Sequence, residues 1–422
     1  MRTLKPRPSP RAGHLALLCG CLPLLAAGAC KWTEFDSLEE DTWVTATTKP
    51  KDGATNWGVA IARVAQSGSG GTLAVLGASD AFYNDLTVAA DGAIESTKPF
   101  DLNPQFAIGN LAIDPLLLSN PTGDEAALVT GLDPSRVAVI RAIGGQLSMI
   151  PVAGPAQPSA ATYMVSPPPG PQMQILVAER DTVYGAYFDP AKQPNPQTKC
   201  ALRDDTMGTP TIRALGAYRP TGVMSDDVLA LSESGKLMAY PGTVFLGCGA
   251  VTQPPKANMV KDIGFTGAQT GSQIHVFADT TGTYAVVQAH NSDGTGRGRL
   301  GVYRIDAAAI VEVGTARDLD RVKTSALLQL DGKVFVIVGM PTAVVDGVIA
   351  GQVQVLEVST QAGIASAPAL TLNDARPEDD QAFGRSVAAL PFNGKNIIAV
   401  GADSEVFVYF RTTLYAETRQ GR

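Results

Sequence analysis

The sequence predicts an all-β fold, a seven-bladed β-propeller built from four-stranded antiparallel blades. Three observations predict it. Gly and Pro, 43 and 29 of 422 residues, make up about 17% of the chain against roughly 12% in an average soluble protein, and both weaken helix interiors. Short apolar runs with period-two alternation, as at Val406 and Val408, recur between turn signals along the body. The runs also repeat as a unit. Small residues in equivalent places, Gly77, Gly131, Ala178, Ala230, Ala289, Gly339 and Gly401, lie 54 residues apart on average, with steps of 47 to 62. Three strands plus a connecting fourth at that period match one propeller blade.

The first element is an address. Arg2, Lys5, Arg7 and Arg11 precede a short apolar run that ends in Ala27-Gly28-Ala29-Cys30. A basic start, an apolar stretch and small residues describe a secretory signal over residues 1–29. The last four residues resemble a bacterial lipobox, with Ala27 where leucine is usual. That resemblance implies that Cys30 is lipidated and becomes the first mature residue. The other reading is an ordinary signal cleaved after a small residue. Loss of the four basic residues takes the net charge from −7 to −11, which argues against nucleic-acid binding. The expected location is the bacterial cell envelope, on the outer membrane through the lipid.

Residues 30–52 follow as an acidic tether and a β-rich run, Asp41 to Thr48, expected to close the last blade by pairing with it. The propeller body is expected over residues 53–412 and a short tail over 413–422. In copy one, Trp57-Gly58 opens the unit. In copy seven, Phe383-Gly384 stands in the same place, and Asn393-Gly394 marks a hairpin. Five weaker copies fill the interval. The Pro-rich stretches 151–158, 167–171 and 190–196 read as loops within and between blades.

Phe383-Gly384-Arg385-Ser386-Val387-Ala388 followed by Ala399-Val400-Gly401-Ala402 resembles the FG-GAP repeat of integrin α-subunit propellers, as does Gly339-Met340-Pro341. The resemblance implies a propeller whose inter-blade loops form a binding rim. Its calcium-binding copies carry Asp-rich loops. The loops here, at Gly68–Gly71, Leu330–Gly332 and Pro391–Gly394, lack the five or more oxygen ligands of a calcium site, so no metal is expected. The loop from Asn120 to Glu125 comes nearest.

Of five cysteines, Cys19 and Cys21 leave with the signal and Cys30 carries lipid, leaving Cys200 and Cys248 to pair in an oxidising compartment. Two free buried thiols are the other reading. The mature chain keeps two histidines, His275 and His290, both placed in strands of copy five and read as structural. There is no Gly-x-Ser-x-Gly elbow, no His-Glu-x-x-His helix and no phosphate loop with a Lys-Ser/Thr ending. Gly294 to Arg299 is basic and Gly-rich, and reads as a solvated turn or an anion-contacting loop. The expected function is therefore binding of a protein or polysaccharide through the loop rim, by a monomeric, non-enzymatic body with no cofactor. The alternative is a hydrolase or lyase acting on an envelope polymer at the central channel.

Overall fold

The computed structural model describes residues 42–48, 57–67, 70–77, 82–89, 94–96, 100–101, 116–119, 125–130, 136–143, 146–153, 158–165, 173–187, 196–247, 254–291, 296–330, 332–374, 382–392, 395–403 and 405–411. The expected leader 1–29, Cys30, the acidic tether, Cys248, the segment 120–124 and the tail 413–422 lie outside them.

The chain is all-β, and among the described residues every pairing between strands is antiparallel. Runs rich in Val, Ile, Thr and aromatics form the strands, and Gly, Asp and Pro end them. Strand β1 (Thr42–Thr48) comes first. The next four, β2 (Trp57–Ser67), β3 (Gly70–Gly77), β4 (Phe82–Ala89) and β5 (Ile94–Ser96), form one sheet in sequence order, with β6 (Phe100–Asp101) beside β4. The second sheet contains β7 (Leu116–Ser119), β8 (Glu125–Thr130), β9 (Arg136–Ile143) and β10 (Gln146–Ala153). The third contains β11 (Ala160–Val165), β12 (Met173–Glu179), β13 (Thr182–Tyr187) and β14 (Pro196–Ala201).

The fourth sheet is β15 (Ile212–Tyr218), β16 (Asp227–Ser232), β17 (Lys236–Tyr240) and β18 (Met259–Asp262), with one helical turn, Val244–Gly247, before its last strand. The fifth is β19 (Gln273–Asp279), β20 (Gly282–His290), β21 (Arg297–Ile305) and β22 (Ile310–Asp320). The sixth begins with β23 (Thr324–Leu330) and β24 (Lys333–Met340). A separate ribbon, β25 (Val344–Val345) and β26 (Val348–Ile349), interrupts it. The sheet then resumes with β27 (Gln352–Ser359), β28 (Gly363–Ile364) and β29 (Leu370–Leu372). The seventh is β30 (Ser386–Phe392), β31 (Lys395–Gly401) and β32 (Glu405–Arg411), and its fourth strand is β1. Thr42 pairs with Arg411 and Thr48 with Glu405, so the run expected to close the last unit does pair with its outer strand.

Six of the seven equivalent small residues fall in the second strand of their sheets: Gly77, Ala178, Ala230, Ala289, Gly339 and Gly401. Gly131 follows β8 and lies outside the described residues. Two prolines sit inside strands where loops would be the default. Among the described residues Pro151 is in β10, which pairs only with β9, and Pro391 is in β30, which pairs only with β31. An edge strand can spare the missing N–H, so both are tolerated. Pro151 thus corrects the reading of 151–158 as loop.

The first strands of successive sheets neighbour one another: β2 beside β7, then β11, β15, β19, β23 and β30, with β30 again beside β2. The cores lie between consecutive sheets. Leu176, Ala178 and Val183 of the third sheet pack with Leu215, Val228 and Tyr240 of the fourth. Leu229, Leu231 and Leu237 of the fourth pack with Ala285, Val287 and Tyr303 of the fifth. Val286, Leu300 and Val302 meet Val336, Val338 and Leu356 of the sixth, and Phe335, Val353 and Val355 meet Val387, Ile398 and Val400 of the seventh. Phe383, fully buried, packs edge-on against Phe407 at 5.3 Å and Tyr409 at 6.3 Å.

The aromatic-glycine pairs fix how neighbouring sheets meet. Gly58 and Gly384 both have φ in the left-handed region, +82° and +88°. A Cβ on Gly339 would overlap the Gly384 carbonyl oxygen, and one on Gly401 would overlap that of Gly58. The first sheet therefore docks on the seventh as the seventh docks on the sixth. Ser386 Oγ completes the junction by donating to the Gly58 carbonyl at 2.6 Å.

Candidate functional site

In an antiparallel meander, the start of the first strand, the turn between the second and third, and the end of the fourth gather at one end of the sheet. At that end of the third, fourth and fifth sheets lies a cleft of about 370 Å³. The third sheet contributes Pro158 and Ser159 ahead of β11, and Arg180 from the β12–β13 turn. The fourth contributes Thr211 and Arg213 at the start of β15, and Glu233 from the β16–β17 turn; Thr270 enters from the approach to β19.

The cleft is held by polar contacts between neighbouring sheets. Ser159 Oγ donates to the Ile212 carbonyl at 2.7 Å. Arg213 Nη2 is paired with Glu233 at 2.6 Å, and its Nη1 donates to Thr270 Oγ1 at 3.3 Å. Arg213 Nε is buried with no hydrogen-bond partner among the described residues. Arg180 is exposed and makes no ion pair among the described residues, because the neighbouring Asp181 is taken by Arg203 at 3.0 Å. Arg180 also has φ of +54°, a region that non-glycine residues seldom occupy.

The wall beside the cleft is tied down by Asp204 in the connection from β14 to β15. Its carboxylate accepts from Lys236 Nζ at 2.7 Å, from Thr206 Oγ1 at 2.8 Å and from the Thr206 and Gly208 amides. The Lys236 ammonium holds the Asp204 carboxyl well below the ordinary carboxylate range, with the Thr206 and Gly208 hydrogen bonds adding to it against the opposing cost of burial.

Both histidines lie in strands of the fifth sheet, as expected from the sequence. His290 Nδ1 meets the Gln288 side-chain amide at 3.0 Å in the core. His275 Nε2 lies 2.8 Å from Ser325 Oγ on the first strand of the sixth sheet, and Ser325 Oγ in turn donates to Gln273 Oε1 at 2.9 Å. This polar link joins two sheets at their first strands. Burial pushes the His275 imidazole down from 6.5 to about 4, so it is neutral at pH 7. The unfolded chain takes up a proton at His275 near pH 6.5 and the folded one only near pH 4. Stability contributed by the neutral ring is therefore complete above pH 6.5 and is lost as pH falls through that window, up to about 3 kcal/mol in all. Urea titrations at pH 7 and pH 4.5 should show this loss, and His275→Gln should remove most of the difference between the two.

The remaining sequence candidates are scattered. Arg297, Gly298 and Arg299, expected in a Gly-rich turn, belong to strand β21, because its pairing with β22 continues through all three and that with β20 through Gly298 and Arg299. Arg299 is paired with Asp318 at 3.0 Å. Cys200 is buried in β14, with its Sγ 3.7 Å from the Val244 carbonyl oxygen. Cys248 and Cys30 lie outside the described residues. Glu125 begins β8, and the rest of the loop proposed as nearest to a calcium site lies outside them. Among the described residues no group of three His, Cys, Asp or Glu is placed to hold a metal ion. No helix among them is long and apolar enough to cross a membrane.

The cleft residues were missed by the sequence reading because they come from segments spread over more than a hundred positions and form no motif. The legible signal was Arg180-Asp181, charged residues in a two-residue turn where glycine or asparagine would be usual. Comparison with models of known protein families and with curated proteins finds no match to the chain.

Proposed function

We propose that the chain is a seven-bladed, exported β-propeller that binds an envelope protein or polysaccharide and performs no catalysis. The cyclic order of first strands, the repeated glycine junctions and the contribution of β1 to the last sheet support the ring. The observation that carries the binding reading is the polar cleft formed where connections from three sheets converge on a rigid frame. Hydrolysis of a glycan ordinarily takes two carboxyl groups flanking the bond. The cleft lining supplies one, Glu233, and Arg213 engages it. Immobilised mature protein exposed to envelope extract should retain a discrete protein or glycan. Turnover of an envelope polymer without retention would overturn the binding reading in favour of a hydrolase or lyase.

The mature chain is anchored by lipid on Cys30, in the outer membrane of a bacterial envelope. The resemblance of Ala27-Gly28-Ala29-Cys30 to a lipobox supports this. Cys200 and Cys248 form its disulfide. The approach of Cys200 to Val244, four residues before Cys248, supports the pairing. Mass mapping without reductant reads both proposals at once. It should find an acylated N-terminal Cys30 peptide and one Cys200–Cys248 linked peptide. An unmodified N-terminus, or two alkylatable thiols, would overturn the corresponding proposal.

A further inference from the structure

We propose that the cleft between the third and fifth sheets takes a carboxylate-bearing sugar, a uronate unit of an acidic polysaccharide, with Arg180 as the group that binds the carboxylate. The proposal rests on the binding reading above and specifies its ligand. The first support is charge. Glu233 is neutralised by Arg213 and Asp181 by Arg203, which leaves the Arg180 guanidinium as the uncompensated charge of the cleft among the described residues. It stands positive on a chain whose net charge is −7.

The second support is the backbone. Arg180 occupies the left-handed region at +54°, whereas the longer β16–β17 turn of the next sheet places a glycine there, Gly235 at +81°. A long cationic side chain is thus kept at a place where glycine would be unstrained, the kind of outlier that accompanies binding sites.

The third support is the lining. Thr211 and Thr270 offer hydroxyls, and Pro158 is the one apolar side chain among the described lining residues. A polyhydroxylated ligand matches such walls, whereas an acidic peptide would need an apolar recess for its neighbouring side chains. A volume of about 370 Å³ lies at the small end of ligand pockets and suits a sugar unit. The planar guanidinium matches a planar carboxylate in two parallel hydrogen bonds.

The test is calorimetric titration of the mature protein with three probes: a glucuronate-containing oligosaccharide, the same oligosaccharide with its carboxyls reduced to alcohols, and inorganic phosphate. The uronate form should bind at least about tenfold more tightly than the reduced form, the difference expected of a charge-assisted hydrogen-bonded pair. Arg180→Asn, a residue that tolerates the left-handed backbone, should erase that difference, and Arg180→Lys should keep part of it. Equal binding of the two oligosaccharides, tighter binding of phosphate, no binding of the uronate form, or unchanged uronate affinity in Arg180→Asn would each overturn the proposal. If the wild-type protein still retains an envelope partner when the uronate form fails, the ligand class is wrong and the binding reading stands. If nothing is retained either, both fail.

Discussion

Gly401→Val is expected to destabilise the protein by about 3 kcal/mol or more, the largest loss from any single substitution considered for this fold. Gly401 ends β31 in the seventh sheet, and the first sheet lies directly against it. A Cβ there would overlap both the Gly58 carbonyl oxygen and Ser386 Oγ. Neither can retreat cheaply. Gly58 is held by its own left-handed backbone, and Ser386 is bonded to the same carbonyl at 2.6 Å. The Gly384 and Arg385 amides also donate to the Gly401 carbonyl, at 3.0 and 3.2 Å, so displacement of Gly401 disturbs the entry to β30 as well. Valine adds two methyl groups to that overlap. Gly332→Ala is the control. Gly332 has φ of +73° with open space where the Cβ would go, so it carries only the left-handed backbone penalty, about 1 kcal/mol. Urea midpoints of the two variants decide the matter. A Gly401→Val midpoint no lower than that of Gly332→Ala would mean that the junction between the first and last sheets does not limit stability.

Those glycines also show what could be read from the sequence. Trp57-Gly58 and Phe383-Gly384 could be aligned because a turn with positive φ leaves glycine as its residue, and Gly339 and Gly401 because backbone meets backbone there. Strand positions followed from period two and from turn residues, since those depend on local geometry. The cleft did not follow, because its residues are brought together by the order of sheets, which no local pattern encodes. Asp204 and Lys236 were invisible for the same reason: 32 positions separate them, and only the pairing of β17 with β18 beside the β14–β15 connection brings them within 2.7 Å. The ribbon β25–β26 shows a different failure. Asp346-Gly347 is a strong hairpin signal, and both residues do have positive φ, 53° and 92°. The repeat period does not announce it, because the ribbon is additional to the strands of the sixth sheet. Val344 and Ile349, 51% and 45% exposed, share the ribbon's outer face, whereas Val345 on the opposite face is buried.

Removal of β1 should have the second large effect, and it tests closure independently of any glycine. Two truncated proteins suffice, one beginning at residue 42 and one beginning at residue 50. They differ by β1 and one following residue, Lys49. In the shorter protein β32 loses seven paired positions, from Arg411 opposite Thr42 to Glu405 opposite Thr48. A net contribution of roughly 0.5–1.5 kcal/mol for each backbone hydrogen bond, offset in part by the entropy returned to a strand no longer ordered, gives a loss of about 3 kcal/mol. The exposed edge adds a second consequence. β32 carries buried Val406, Phe407, Val408 and Tyr409, and an uncovered edge of such a strand is a template for pairing with another chain. The shorter protein should therefore melt earlier and also form oligomers in proportion to its concentration. A synthetic peptide of residues 42–48 added in excess should reverse both changes, because it restores the pairing without restoring the covalent link. Equal melting of the two truncated proteins, with both monomeric, would show that the seventh sheet is stable as three strands and that the N-terminal strand does not close the fold.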